Sequence, residues 1–323
     1  MKQRWHLWIA MGILLIGLIV GSINTLDLTI NAAIFDPKNG FGLVASSFGM
    51  IPGYATLSVF GGALFALTFK NKKFHIAIRI LFYAIILAFY GLSTYFLGKD
   101  VFSVNGFYNP KFHPWLGCII MGIVMLPCLY FGYWLGKKNE NPRMWIIILV
   151  LAFAMFMALV PGTTLLKAIM HRPRYRMVIF EQGTGWFRNW WEPFKEYSHF
   201  KDGENVIING VTYGKEEFKS FPSGHSCAVM CGLILATTIP LMNKKWMKYQ
   251  VLFFYIAFAW GLVVMFSRML VGAHFLTDTC MGSLLAVIFF YIANEVVVRK
   301  LLPAEEKKEE PVQEVQPEEA SKE

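Results

Sequence analysis

Apolar runs recur along the chain at roughly 7–25, 51–69, 75–97, 115–136, 144–166, 221–241, 250–268 and 276–298. Each is close to the about 20 residues that a helix needs to cross a hydrocarbon core about 30 Å thick. The pattern therefore predicts an all-α, polytopic transmembrane bundle of about eight spans.

The polar segments between the runs alternate in charge. Lys2 and Arg4 precede the first run; Lys70, Lys72 and Lys73 follow the second; Lys137, Lys138 and Arg143 follow the fourth; Lys244, Lys245 and Lys248 follow the sixth; Arg299 and Lys300 follow the eighth. By contrast, 26–50 carries only Lys38, and 98–114 only Lys99 and Lys111. Cytoplasmic flanks are the ones enriched in Lys and Arg, so both termini are expected to be cytoplasmic. By parity, the long 167–220 segment and the 268–278 turn face outward despite their own cations. Cations placed against the rule call for a reason, and anion binding supplies one.

Three segments do not fit the span pattern. Asp27–Phe48 is too polar to cross and too apolar for a free linker, so it is expected to lie along the outer surface, without chemistry of its own. Within 177–220, Trp186, Phe187, Trp190, Trp191, Phe194 and Tyr197 follow in quick succession. They are expected to form an interfacial aromatic belt in preference to a lid, followed by a turn-rich excursion, Lys201–Lys219, with the marks of a small hairpin. After Pro303 the chain alternates Glu, Lys, Pro and Gln, which predicts a disordered charged tail. The chain thus divides into N-terminal transmembrane helices (1–166), a catalytic core (167–300, with loop 177–220) and the tail (301–323).

Composition excludes a soluble protein. The 323 residues are 56% hydrophobic and only 16% charged, with a mean hydropathy of +0.47; soluble domains run near a quarter charged. Ten Trp, 13 Tyr and 29 Phe suit a protein with two membrane interfaces. The formal charge of +9 sits in short clusters between apolar runs and so reports topology, with no nucleic-acid partner. All five cysteines lie in or beside apolar runs, which gives no disulfide framework; Cys227 and Cys231, at helical spacing, are read as small buried hydrophobes and not as metal ligands. The N-terminal Met-Lys-Gln-Arg and its long apolar run are read as a retained signal anchor.

Three polar stretches carry candidate chemistry. Ser267, Arg268, His274 and Asp278 bring a cation, an imidazole and a carboxylate to the mouth of an apolar helix. If the residues after Ala273 are helical, His274 and Asp278 share a face, so that the acid orients one ring nitrogen and frees the other as a nucleophile. Arg268 offers a planar fork for phosphate oxygens. Phe221-Pro222-Ser223-Gly224-His225 opens the sixth run with helix-start residues, whose free N–H groups make an anion seat; an ordinary N-cap with a solvated His225 is the plainer reading. Lys167-x6-Arg174 closes the fifth run, and as a bare cluster it would equally suit anionic headgroups.

Taken together, these stretches resemble the signature of the type-2 phosphatidic acid phosphatase superfamily, K-x6-R-P, P-S-G-H and S-R-x5-H-x3-D. The second and third motifs are complete here. In the first, Tyr175 stands where Pro is expected, which leaves Arg174 as the better match and Arg172, of the Arg172-Pro173 pair, as the alternative.

The resemblance covers about 167–280. It implies a metal-independent, two-step phosphoryl transfer with no cofactor: His274 as nucleophile, Asp278 as its orienting acid, His225 as proton donor to the leaving oxygen, and Lys167, Arg174, Ser223, Gly224 and Arg268 on the phosphate oxygens. The implied protein is a multi-pass membrane hydrolase acting at the extracytoplasmic face on a lipid phosphate of the phosphatidic acid, phosphatidylglycerophosphate or undecaprenyl diphosphate class. A phosphotransferase using the same phosphohistidine is the alternative, and a non-catalytic lipid-binding or transport protein the alternative outside enzymology.

Overall fold

The computed structural model describes residues 4–102, 114–180, 186–195, 206–208 and 211–302. The expected tail from 303 onward, Tyr197 and parts of the 177–220 loop lie outside the described residues.

The described chain is built almost wholly of helices. In order they are α1 (Trp5–Gly21), α2 (Leu26–Ile34), α3 (Gly40–Phe48), α4 (Ile51–Lys70), α5 (Ile76–Val101), α6 (Pro114–Lys138), α7 (Met144–Met157), α8 (Thr163–Met170), α9 (Tyr175–Phe180), α10 (Gly224–Met230), α11 (Gly232–Met242), α12 (Gln250–Leu270) and α13 (Leu276–Val296). Between α9 and α10, β1 (Val206–Ile208) pairs antiparallel with β2 (Val211–Tyr213), the hairpin expected from the turn-rich sequence there.

Seven helical stretches are long and apolar enough to cross a membrane: 40–70, 76–99, 115–138, 144–179, 224–242, 244–270 and 276–301. The chain is accordingly a multi-pass membrane protein. The first expected run departs from the pattern. α1 has 17 residues and is followed, after a bend of 98°, by α2. The chain turns at Asn24, whose φ of 49° is left-handed, a conformation that Asn tolerates better than most residues.

Small residues determine which helix sits in the middle. α4 carries Gly, Ala, Ser and Thr along its length and is buried on nearly all sides from Gly53 to Leu64, because small side chains let neighbouring backbones approach closely. α5 and α6 pack against it and turn Leu87, Ile119 and Ile123 outward. A helix that is apolar on every face suits a lipid environment on its unpartnered side. Where Pro161 withholds an N–H in the expected fifth span, a π-turn over Ala158–Gly162 absorbs the break and joins α7 to α8.

The second half assembles around α13, which packs against α1, α7 and α10. Gly282 is required there: a Cβ at that position would stand 2.2 Å from the Ser223 carbonyl oxygen, so only glycine lets α13 lie against the start of α10. The turn between α12 and α13 needs Gly272, at φ +67°. These two glycines bring the C-terminal end of α12 and the N-terminal ends of α10 and α13 to one place.

Contrary to expectation, Asp27–Phe48 is not a surface strap without a role. Its α2 buries Asp27 and Asn31, and α3 runs on into α4 as one apolar stretch, so that this stretch begins at Gly40 and not at 51. Buried polar groups take hydrogen-bond partners as a rule, and those of Asp27 and of the Asn31 amide nitrogen lie at the site described next.

Candidate active site

The three candidate motifs are far apart in sequence and meet at one end of the bundle. The backbone itself ties them together: Ser223 N donates to Asp278 O (2.9 Å), Ser220 N to Arg172 O (2.9 Å), and Arg176 N to Gly272 O (3.0 Å). A cavity of about 410 Å³ opens there. Its polar lining comprises Lys167, Arg174, Glu216, Gly224, His225 and His274, together with Lys99 from α5. The rest of its lining is largely apolar, with Leu57 of α4, Phe89 and Leu92 of α5, and Met155 and Phe156 of α7.

His274 lies in the α12–α13 turn and is almost wholly buried. Its Nδ1 is 2.8 Å from the carbonyl oxygen of Ser220. A carbonyl can only accept, so Nδ1 carries the proton and Nε2 carries the lone pair. Burial, together with the cations Arg174, Arg268 and Lys167, lowers the imidazole pKa well below the ordinary 6.5, outweighing the opposite pull of the Ser220 carbonyl. The ring is thus neutral at physiological pH, as a nitrogen nucleophile must be.

The expected bond between Asp278 and His274 is not formed. α13 begins at Leu276, so His274 precedes the helix and the two residues do not share a helical face. Asp278 Oδ2 is 3.8 Å from Nδ1. As the third residue of the helix, Asp278 folds back to accept from the N–H of its N-cap, Phe275 (2.8 Å), as a capping-box acid does. The same oxygen accepts from the Ser220 hydroxyl, and Oδ1 accepts from Arg172 (2.6 Å). Ser220 therefore stands between acid and imidazole, its hydroxyl on one and its carbonyl on the other.

The alternatives within the first motif are separated by position. Arg174 lines the cavity, held by a bond from Nε to the Glu216 carbonyl (3.2 Å). Arg172 does not line it. Its guanidinium is buried against Asp27 (2.8 Å), Asp278, Thr277 (2.8 Å) and the Arg188 carbonyl (2.8 Å), and lies over the Phe275 ring at 4.2 Å. Tyr175, in place of the expected Pro, is buried edge-on to Phe275 and Phe35; aromatic packing there replaces the rigidity that Pro would have lent.

Lys167 reaches over Gly224, where a Cβ would stand 3.4 Å from Nζ. Ser223 is the N-cap of α10 and accepts from Ser226 N (3.3 Å). Arg268 lies fully buried in the last turn of α12, where a cation favours the helix dipole. Glu217, nearby, is held below the ordinary carboxylate range: burial would raise it, but Arg174 and Arg176 outweigh that, with Arg176 bonded through both Nε (2.7 Å) and its terminal nitrogen.

In its described part the aromatic loop packs against residues that flank the site. Trp190 stacks on Phe221 (5.5 Å), Phe194 on Phe218 (5.7 Å), and Phe187 meets Phe275 edge-on (5.5 Å); of the loop's described aromatics only Trp191 is largely exposed. Offset-stacked and edge-on ring pairs of this kind are favoured contacts, and they tie the loop to Phe218, Phe221 and Phe275.

Sequence reasoning did not single out Ser220, Asp27, Asn31, Lys99 or Glu216. Asp27 opens the segment read as too polar to cross, where a carboxylate gives no signal of its own. All of them become visible only when distant segments are juxtaposed.

Residues 143–301 match the family model of the PAP2 superfamily, an interval that contains all three motifs. Phosphatidylglycerophosphatase B of Haemophilus influenzae is 24% identical over 187 residues, which cover 54% of this chain and 77% of that protein. No solved structure gives a significant match.

Proposed function

The chain belongs to the PAP2 superfamily through residues 143–301 and is a phosphoric ester hydrolase, and from that premise we propose that it dephosphorylates a membrane lipid through a phosphohistidine on His274. The observation that carries this reading is the cavity's divided lining: cations and imidazoles on the one hand, apolar walls from α4, α5 and α7 on the other. A lipid phosphate has the same division. Its substrate class comprises phosphatidic acid, phosphatidylglycerophosphate and polyprenyl diphosphates, and the enzyme named in the comparison acts within that class.

In the first step Nε2 of His274 attacks phosphorus, forming a P–N bond as the P–O bond to the lipid breaks. His225 gives its proton to the departing oxygen. Lys167, Arg174 and Arg268 offset the charge on the equatorial oxygens, with the Ser223 hydroxyl and the Gly224 N–H completing the seat; positioning and charge are the main demands of phosphoryl transfer. In the second step water attacks phosphorus, His225 takes its proton, and the P–N bond breaks to release phosphate. Asp278 acts on His274 through Ser220. No bond in this scheme is made to a metal.

The 167–300 segment is the catalytic unit, and the alternation of basic flanks supports a cytoplasmic C-terminus and a site on the extracytoplasmic face; a cytoplasmic N-terminus further requires α1 and α2 to cross together as one bent span. Purified protein assayed in mixed micelles against a panel of lipid phosphates, with and without EDTA, tests the assignment. Phosphate release unaffected by EDTA and abolished by His274→Ala supports it; full activity of that variant, or strict dependence on an added divalent ion, overturns it.

A further inference from the structure

Behind His274 lies a buried cluster of three charges that reaches outside the catalytic unit. Asp27 of α2 accepts from Arg172 (2.8 Å), from the Thr277 hydroxyl (2.6 Å) and from Thr277 N (3.1 Å). The Thr277 hydroxyl in turn accepts from Arg172, so its hydrogen is available to Asp27. Every partner of Asp27 is a donor, which is the surrounding of an ionised carboxylate. The partners of Asp278, namely Arg172, the Ser220 hydroxyl and Phe275 N, are donors too. Two carboxylates thus share one guanidinium, with all three members buried; burial raises the Asp27 pKa against the pull of Arg172 and Thr277, and with both carboxylates held ionised by donor-only surroundings the cluster has one net negative charge. Four residues on, Asn31 donates from Nδ2 to the carbonyl oxygen of His274 itself (2.9 Å). α2 is therefore fastened to the nucleophile's turn at two points.

We infer that Asp27 is a positioning residue for His274, holding Arg172 and the start of α13 in place and leaving the cluster behind the imidazole net negative. This rests on the assignment of His274 as nucleophile. When the imidazole attacks phosphorus, its ring gains positive charge. The groups around it are cationic or neutral: Lys167 from α8, Arg174 just after it and His225 from α10 on the cavity side, and the buried Arg268 from α12. Without a negative counterweight these would oppose the developing charge. Asp278 alone does not supply it, since Arg172 neutralises one carboxylate; Asp27 leaves the surplus. The segment that provides it lies far upstream of residues 143–301, so the catalytic unit is completed by the N-terminal part of the chain.

The test uses full-length protein in mixed micelles with phosphatidic acid. Asp27→Asn keeps the shape and removes the charge. Expected are a fall in kcat of about ten- to a hundredfold, KM within about twofold of wild type, and an acidic limb of kcat/KM moved to lower pH, because losing a negative charge makes the imidazole harder to protonate. A merely structural role would reduce the amount of active enzyme and leave the limb where it was, and that result, like wild-type kinetics, overturns the inference. If Asp27→Asn does not yield monodisperse protein, Asp27→Glu is read instead: lower kcat with the wild-type limb supports the inference, and wild-type kcat overturns it. Wild-type enzyme inactive on every lipid of the panel would instead sink the nucleophile assignment, which distinguishes the two failures.

Discussion

His274 Nδ1 and the Ser220 carbonyl oxygen are 2.8 Å apart, whereas the nearest Asp278 oxygen is 3.8 Å from the same nitrogen. The acid's hold on the imidazole therefore runs through the serine, whose hydroxyl donates to Asp278. Ser220→Ala removes the hydroxyl and keeps the carbonyl. It is expected to lower kcat about three- to tenfold, the scale of one buried hydrogen bond at about 1 kcal/mol, while His274→Ala abolishes turnover. Steady-state phosphate release for the two variants measures the difference.

The pH profile follows from the depressed imidazole pKa. Burial first, then Arg174, Arg268 and Lys167, disfavour imidazolium, so the acidic limb belonging to His274 is expected below pH 6.5. Arg174→Gln removes one of those cations and is expected to move the limb up toward 6.5 while weakening kcat/KM. The same shift bears on stability. Between the folded value and 6.5 the unfolded chain holds more protons at this position, so this residue's contribution to stability falls as pH drops from 6.5 through the folded value. Rate–pH curves of wild type and variant check the sign.

Arg172 and Arg174, two residues apart, are expected to fail in different ways. Arg172→Met leaves Asp27 and Asp278 buried without their cation, a loss on the order of 3–5 kcal/mol. It should appear as a large fall in thermal stability or in recovery of folded protein. Arg174→Met removes a cavity cation beside the reacting groups and should retain more of the fold while losing kcat/KM. Thermal unfolding and kinetics in the same detergent separate them.

The apolar lining of the cavity is expected to matter only for substrates with long chains. Leu92 of α5 lines it from a partly exposed position, so Leu92→Trp should fill space without overpacking a core. About a tenfold loss of kcat/KM on a long-chain phosphatidic acid, with little change on a short-chain soluble phosphate ester, is the expected pattern. Equal losses on both would place the acyl chain elsewhere.

Much of the molecule is legible in residue order alone. Seven of the eight expected runs appear as long apolar helices, because twenty consecutive apolar residues have few ways to satisfy their backbone in lipid other than a helix. Of the motif residues, His274, His225, Lys167, Arg174 and Gly224 line one cavity, whereas Ser223, Arg268 and Asp278 are buried beside it without lining it. Asp278 is legible as a member of the site but not in its contacts. Its i, i+4 spacing from His274 gives a shared face only inside a helix, and the helix starts two residues after His274.

Local sequence, then, determined the helices, the membrane setting and the identity of the candidate groups, all of which depend on neighbours in the chain or on side-chain chemistry. Tertiary structure alone decided which arginine lines the cavity, that Ser220 stands between acid and imidazole, and that Asp27 and Asn31 fasten the turn that carries His274. Those outcomes depend on contacts between residues up to 250 positions apart. A buried charge takes whichever partners packing brings to it, and no pattern along the chain specifies them in advance.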